Sequence, residues 1–301
     1  MIYTVTFSPA IDYVVELNNL NVGDINRTVR EHYFPGGKGV NVSRVLSNLG
    51  RGSVATGFVA GFTGDYIIKE LETHHISSRF IEVEGTTRIN VKIKNNGEET
   101  AINGQGPNID DRAIEQLIRM LERLGREDTL IISGTIPSTL PKNIYELILA
   151  RVSDNDCKII VDAEGEILLN CLKYHPFLIK PNKEELEKAL NIKADSEEEL
   201  VNGAKEMIKR GATNVIVSLG KDGALLIGKN IEPLFVKAPQ GKVVHSVGAG
   251  DGLVAGFIDE YLESQDIIRA FKKGVATGSA TAFSEGLARK EDAEALFAQM
   301  E

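Results

Sequence analysis

The chain has 301 residues, 42% of them hydrophobic, which suits one large α/β domain carrying a smaller appendage. Its 34 basic and 43 acidic residues give a net charge of −9 with no long Lys/Arg run, which argues against nucleic acid or an anionic membrane surface as the main partner. The opening Met1 to Phe7 lacks a basic segment followed by a long apolar stretch, and no window approaches the ~20 apolar residues of a spanning helix, so a cytoplasmic protein is expected. In chain order, Ser8-Pro9-Ala10-Ile11-Asp12 follows the first strand, which predicts Asp12 at a strand end, where open α/β sheets bind ligands. A carboxylate there either accepts hydrogen bonds from sugar hydroxyls or merely caps a turn. Residues 11 to 35 read as extended. Gly36-Gly37-Lys38-Gly39 then enters a helix with apolar residues at Val42, Val45, Leu46 and Leu49, so the helix N-terminus and the Lys38 charge together make an anion site. This is not a Walker loop, because Gly39 stands where Ser or Thr belongs after the lysine and His32 occupies the first glycine position.

From Thr86 to Gly104, Ile89, Val91 and Ile93 alternate with Arg88, Asn90, Lys92 and Lys94, and Asn96-Gly97 signals a hairpin turn. With residues 11 to 35 this predicts a small β appendage without a helix to cover it. Asp110 to Leu124 reads as a helix burying Ile114, Leu117, Ile118, Leu121 and Leu124, with Gly125 as its stop. Buried strands are predicted at Thr129 to Ile132, Lys158 to Val161, Phe177 to Ile179 and Asn214 to Leu219, and Ser196 with Glu199 forms a capping box. The alternation of strands and helices implies a mostly parallel sheet wrapped by helices. Cys157 and Cys171 lack CxxC spacing and read as idle thiols of a reducing compartment.

Three short stretches follow predicted strands. They are Ser133-Gly134-Thr135, then Pro181-Asn182-Lys183-Glu184-Glu185 with an amide and a carboxylate suited to hydrated Mg²⁺, and Ser218 to Gly223, whose glycines can admit a nucleotide. The most informative stretch is Val247-Gly248-Ala249-Gly250-Asp251-Gly252 ahead of an apolar run. Its small residues leave backbone N–H groups uncovered at a helix start, and the Asp251 carboxylate lies beside that anion hole. A base next to a pocket for phosphate charge suits phosphoryl transfer to a hydroxyl, although Asp is also favoured at this place simply as a cap. A dinucleotide fingerprint fails, since Leu253 occupies the third glycine position.

Taken in order, these stretches resemble the ribokinase or phosphofructokinase-B family of sugar kinases over essentially the full length. The first family signature matches Gly36 to Arg44, the second Val247 to Asp251, and the Asn-x-x-Glu motif Asn182 to Glu185. Within the family, Ser8 to Tyr13, Arg88 to Lys92 and Ile102 to Pro107 look most like the members that act on fructose 1-phosphate, with tagatose-6-phosphate kinases the alternative. The resemblance implies a ribokinase-like three-layer α/β sandwich with a mostly parallel sheet and a small β lid. The core would be 1–11, 36–85 and 105–301, and the lid 12–35 and 86–104. It implies transfer of the ATP γ-phosphoryl group to the 6-hydroxyl of fructose 1-phosphate, giving fructose 1,6-bisphosphate.

The same resemblance assigns roles to residues. Asp251 would be the base, with the backbone of Gly248, Ala249 and Gly250 holding the developing charge. Asp12 and Asn41 would fix sugar hydroxyls, and Lys38, Arg88 and Arg27 the substrate phosphate, with Gly36, Gly37, Asn90, Asn103 and Gly134 completing the sugar site. Ser218, Gly220, Gly223, Gly250, Lys183 and Ser279 would line ATP, with Asn182 and Glu185 in the outer shell of Mg²⁺. A homodimer through the lid face carrying Ile89, Val91 and Ile93 is expected. The chain departs from the family pattern at Ser8, where Asn is usual, at His245-Ser246, where Asp-Thr is usual, and at Gly252, where serine is frequent. A sugar-phosphate-binding regulator without catalysis is a rival reading that the intact Gly248 to Asp251 stretch disfavours.

Overall fold

The computed structural model describes residues 1–301. The amino-terminal part consists of β1 (Ile2–Thr6), β2 (Ala10–Leu17), β3 (Arg30–Gly36), α1 (Lys38–Leu49), β4 (Val54–Val59), α2 (Gly61–Thr73), β5 (Ser77–Glu82), β6 (Arg88–Asn95) and β7 (Glu98–Asn103). The middle adds α3 (Asp111–Leu121), β8 (Thr129–Ser133), α4 (Ile144–Val152), β9 (Lys158–Asp162), α5 (Gly165–Cys171), β10 (Leu178–Ile179), α6 (Lys183–Leu190) and α7 (Glu197–Arg210). The chain closes with β11 (Asn214–Ser218), β12 (Ala224–Gly228), β13 (Ile231–Val236), α8 (Ala249–Ser264), α9 (Ile267–Phe283) and α10 (Lys290–Ala298).

Nine strands form one sheet in the order β13-β12-β11-β10-β9-β8-β1-β4-β5, parallel from β11 to β5 and antiparallel at the β12–β13 edge. Both faces are apolar because both are covered, as the unbroken hydrophobic runs require. Val5, Ile132 and Val161 point to a core built with α3 to α7, and Ile131, Ile160 and Ile216 to a second core built with α1, α8, α9 and α10. The result is the three-layer arrangement expected from the alternating pattern. Asp110 caps α3 through Ala113 N–H at 2.8 Å, and the Ser196–Glu199 capping box opens α7. α3 ends at Leu121, not at Gly125: Leu124 is buried from the following turn, so its apolar character does not extend the helix.

The second sheet, in the order β3-β2-β6-β7, corresponds to the appendage. Its hairpin turns at Asn96 and Gly97, with φ of 50° and 85°, the left-handed pair that fits the strand twist. One expectation fails here. The appendage is not helix-free on every side, because Ile11 of β2 packs with Ile67 and Leu71 of α2. That anchorage ties the base of the small sheet to the large one.

Helices α8 and α9 pack closely through glycines. A Cβ at Gly256 would lie 2.3 Å from Thr277 Oγ1 and 2.9 Å from the Lys273 carbonyl, and one at Gly278 would lie 2.8 Å from the Ala249 carbonyl in the first turn of α8. The position of that first turn is therefore set by the absence of side chains on the two facing helices. Gly256→Ala should lower stability by about 1–3 kcal/mol, the usual cost of overpacking, in urea unfolding. Gly52→Ala, where nothing lies within 4 Å, should stay within about 0.5 kcal/mol of the parent. Equal unfolding midpoints for the two variants would contradict this reading of the helix pair.

Candidate active site

A cavity of about 1060 Å³ opens along the carboxyl ends of the parallel strands and beneath the small sheet. The strand register explains its floor. Thr6, Ser133 and Asp162 are paired neighbours at the ends of β1, β8 and β9, and Lys180 follows directly on β10, whose Ile179 pairs with Val161. Four polar groups from distant stretches of chain thus fall in one row where ligands enter open α/β sheets.

Gly37 is the N-cap of α1 with φ of 113°, and Gly39 lies so close to β1 that a Cβ would meet Thr6 Oγ1 at 2.5 Å and the Val5 carbonyl at 2.8 Å. The glycines let α1 start directly on the end of β1, which aims Lys38 across the floor to Asp162 at 3.4 Å. Lys180 reaches the other Asp162 oxygen at 3.3 Å. Burial opposes ionisation of Asp162, but Lys180 and Lys38 outweigh it and hold the carboxyl below the usual range. Burial likewise opposes the Lys38 charge, and Asp162, Asp251 and Glu185 more than offset it, so its pKa is raised.

At the roof of the floor lies α8, with Gly248 as its left-handed N-cap at φ 84°. Ala249 N–H is committed to the Ser246 carbonyl at 3.2 Å, whereas the N–H groups of Gly248, Gly250 and Asp251 find no partner in the protein. The anion hole expected over residues 248 to 251 is therefore narrower by one donor. Asp251 is buried in the first turn and accepts a hydrogen bond from Asn41 Nδ2 at 2.9 Å. Desolvation, followed by the nearby Asp162 charge, pushes the Asp251 carboxyl up to about 7, against the opposing pull of Asn41, Lys38 and Lys180. A carboxylate with that proton affinity is matched to accepting a proton near neutral pH.

The other predicted residues separate into two groups. Asp12, Gly37, Lys38, Asn41, Arg88 and Gly134 line the cavity at the small-sheet side, and Ser218, Gly220, Gly223 and Ser279 line its other arm, with Asn182 and Glu185 between. Asp12 does not end a strand of the large sheet. It sits inside β2, buried, where it accepts from Asn90 Nδ2 at 2.8 Å and faces Lys92 at 3.5 Å. Asn90 and Gly36 act behind Asp12 and do not form the wall, and a Cβ at Gly36 would lie 2.6 Å from Asp12 Oδ2. Asn41 is committed to Asp251, a role not foreseen for it. Arg88 donates to the Ser8 carbonyl at 3.0 Å and keeps a buried Nε without a partner.

Arg27 is exposed in the loop between β2 and β3, Asn103 is exposed on β7, and neither belongs to the cavity wall. Lys183 also stays outside, with Asp195 at 3.5 Å and Glu187 at 3.9 Å as its ion-pair partners. Asn182 and Glu185 form a reciprocal capping box at 2.8 Å each, so one oxygen of each is engaged by backbone. Two floor residues, Asp162 and Lys180, escaped the sequence reading. The signal was a charged residue placed directly after each of two buried strand runs. Tyr145 is a further support, fully buried and donating to the Gly134 carbonyl at 2.7 Å, which fixes the turn at φ 105°.

Known proteins share this architecture. The family model for pfkB family carbohydrate kinases matches residues 5–294. A 1-phosphofructokinase of Bacillus subtilis is 43% identical over 300 residues, covering 100% of this chain and 98% of the relative. A D-tagatose-1-phosphate kinase of Bacillus licheniformis is 41% identical over 288 residues, covering 95% of this chain and 94% of the relative. The crystal structure of phosphofructokinase-2 from Escherichia coli in complex with fructose-6-phosphate superposes with a TM-score of 0.92 at 26% identity, covering 99% of this chain and 98% of that one. The matches to both signatures and the site they build lead to one assignment: the chain belongs to the pfkB family of carbohydrate kinases.

Proposed function

We propose that the chain transfers the γ-phosphoryl group of ATP to the 6-hydroxyl of fructose 1-phosphate, giving fructose 1,6-bisphosphate and ADP. The observation that carries this reading is Asp251, a buried carboxylate raised to about 7 beside free N–H groups of α8, in a cavity with an arm on each side. One arm offers Asp12 and Arg88 to a sugar phosphate, and the other offers Ser218, Gly220, Gly223 and Ser279 to a nucleotide. Asp251 accepts the proton as the 6-hydroxyl attacks phosphorus, and the N–H groups of Gly250 and Asp251 stabilise charge spreading over the transferred oxygens. Arg88, with an unpartnered Nε and a forked guanidinium, takes the substrate phosphate.

Mg²⁺ fits here only as a hydrated ion carried on nucleotide phosphates. No cluster of three or more His, Cys, Asp or Glu forms a protein cage, and Glu185 retains one carboxylate oxygen beyond its capping bond. Glu185, with Asn182, would hold its water shell, and the ion would neutralise phosphate charge. The small sheet, residues 12–35 and 86–104, serves as the lid that excludes water from the site, and 1–11, 36–85 and 105–301 form the core. Its exposed apolar residues Ile89 and Ile102, with Val22, Ile25 and Val29 of the β2–β3 loop, fit a second copy of the chain better than solvent. No helix is long and apolar enough to cross a membrane, and the buried free thiols Cys157 and Cys171 suit the reducing cytoplasm.

The 41% identity to a D-tagatose-1-phosphate kinase supports a second reading. Tagatose 1-phosphate has the same C1 phosphate and 6-hydroxyl and differs only in the hydroxyl at C4, so Asp12 and the lid face the whole burden of discrimination. ATP turnover with fructose 1-phosphate, tagatose 1-phosphate, fructose 6-phosphate and tagatose 6-phosphate should give the highest kcat/KM for fructose 1-phosphate. In that assay Asp251→Asn should lower kcat by roughly 10²–10⁴ with sugar-phosphate binding kept. Retention of more than half of the kcat would remove Asp251 from the role of base. Arg88→Ala should raise KM for the sugar phosphate by roughly tenfold or more, as loss of a charge-assisted contact implies, and leave KM for ATP nearly unchanged. Unchanged values for both would return Arg88 to a purely structural bond with Ser8.

A further inference from the structure

We propose that Lys92 is a positioning residue of the sugar site: it holds the Asp12 carboxylate in one orientation and so sets the discrimination between fructose 1-phosphate and its C4 epimer, tagatose 1-phosphate. The inference rests on the sugar-phosphate reading given above.

Asp12 is the one carboxylate that the small sheet presents to the cavity, and it is fixed from three sides. β2 and β6 run parallel in a register that pairs Asp12 with Asn90 and Val14 with Lys92, so Asn90 and Lys92 stand on the same face of the sheet as Asp12. Asn90 Nδ2 donates to Asp12 Oδ1 at 2.8 Å, and Lys92 Nζ lies 3.5 Å from Oδ2. On the third side is Gly36 at the end of β3, where a Cβ would lie 2.6 Å from the same Oδ2. The carboxylate is thus packed against β3 and tied to β6.

The fold alone gives little reason for this arrangement. Asn90 is buried and its Oδ1 has no partner in the protein, so its amide serves Asp12 while one of its own groups goes unpaired, which buried polar groups ordinarily avoid. Only 16% of the Lys92 side chain is exposed, and Asp12 is the single carboxylate within 4 Å of its ammonium. Neither Asn90 nor Lys92 reaches the cavity wall, whereas Asp12 does. Lys92 therefore acts on a bound sugar through Asp12.

Specificity follows from that rigidity. A carboxylate engaged on both oxygens offers its remaining lone pairs in fixed directions, and the two epimers differ only in the direction of one hydroxyl. Hydrogen bonds weaken steeply off axis, so an acceptor aimed at one epimer is misaimed at the other, while a carboxylate free to turn follows either. Arg88, the proposed phosphate contact, lies two residues before Asn90 on the same face of β6. One strand thus sets the spacing between phosphate and hydroxyl recognition.

Steady-state kinetics with fructose 1-phosphate and tagatose 1-phosphate in the parent, Lys92→Met and Lys92→Arg test this role. Lys92→Met keeps the stem and loses the charge, so the ratio of kcat/KM for the two epimers should move toward unity by about tenfold, through a higher KM for fructose 1-phosphate, with KM for ATP within about twofold of the parent. Lys92→Arg restores the charge and should keep the ratio within about threefold of the parent, a rescue that a general loss of stability would not show. Lys92→Gln is the second uncharged variant, read in the same way if Lys92→Met does not fold. Three results would each overturn the assignment: an unchanged ratio in the uncharged variant, a KM that rises equally for both epimers as for a direct contact with their shared C1 phosphate, or a ratio in Lys92→Arg as low as in Lys92→Met. The parent alone tests the reading beneath it. No turnover of either epimer would sink the kinase reading and this inference with it, whereas a preference for tagatose 1-phosphate would correct the substrate and leave the collapse of the ratio as the test of Lys92.

Discussion

Two buried carboxylates, Asp162 and Asp251, share one pocket with two ammonium groups, and burial and mutual charge together set how each of them ionises. Asp162 stays ionised against its burial because Lys180 and Lys38 hold it, and burial first, with the Asp162 charge second, makes ionisation of Asp251 harder. The cluster places a fixed anion, two cations and the proposed base in one pocket. Its cost appears in stability. A folded-state value of about 7 against 3.8 for the unfolded carboxyl means that the folded chain binds the extra proton. The resulting stability is full below about pH 4 and is lost as pH rises through 7. Such strain is common where a group is held ready for chemistry.

The geometry of the cluster follows from main-chain constraints. Parallel pairing sets Asp162 beside Ser133 and brings Lys180 next in line, since a shift of one residue in β10 would turn its side chain to the opposite face. Gly39 lets α1 touch β1, Gly250 lets Lys180 touch α8, and Gly278 lets α9 approach the Ala249 carbonyl. Each of these glycines is a close-contact residue in a helix, where glycine is otherwise unfavourable. The core helices therefore accept lower intrinsic stability in return for close packing around the floor of the cavity.

Much of this was legible in the chain. Buried strands at residues 129, 158 and 214, the capping boxes and the Asn96-Gly97 hairpin follow from local chemistry, which tertiary packing had no reason to override. Asp251 and the glycine loops were legible because their residue types are rare in that order. Asp162 and Lys180 were not, because each acquires meaning only from the strand beside it, and pairing register is a non-local property. Asn182 and Glu185 illustrate the reverse problem: the same spacing that suits an ion also makes a capping box, and the structure shows the box. Arg27 and Asn103 lie off the cavity wall, and an exposed loop and an edge strand carry no periodic signal that says which way a side chain faces.

The most direct test of the coupled-carboxylate account is the pH dependence of kcat/KM for fructose 1-phosphate in the parent chain and in Asp162→Asn. The account predicts an acid limb near pH 7 in the parent, because protonated Asp251 cannot accept the hydroxyl proton. Removing the Asp162 charge should move that limb to lower pH, a difference that titration of the substrate phosphate cannot produce, as it is common to both chains. A parent limb in the ordinary carboxylate range of roughly pH 4, or a limb at the same pH in the two chains, would contradict the account.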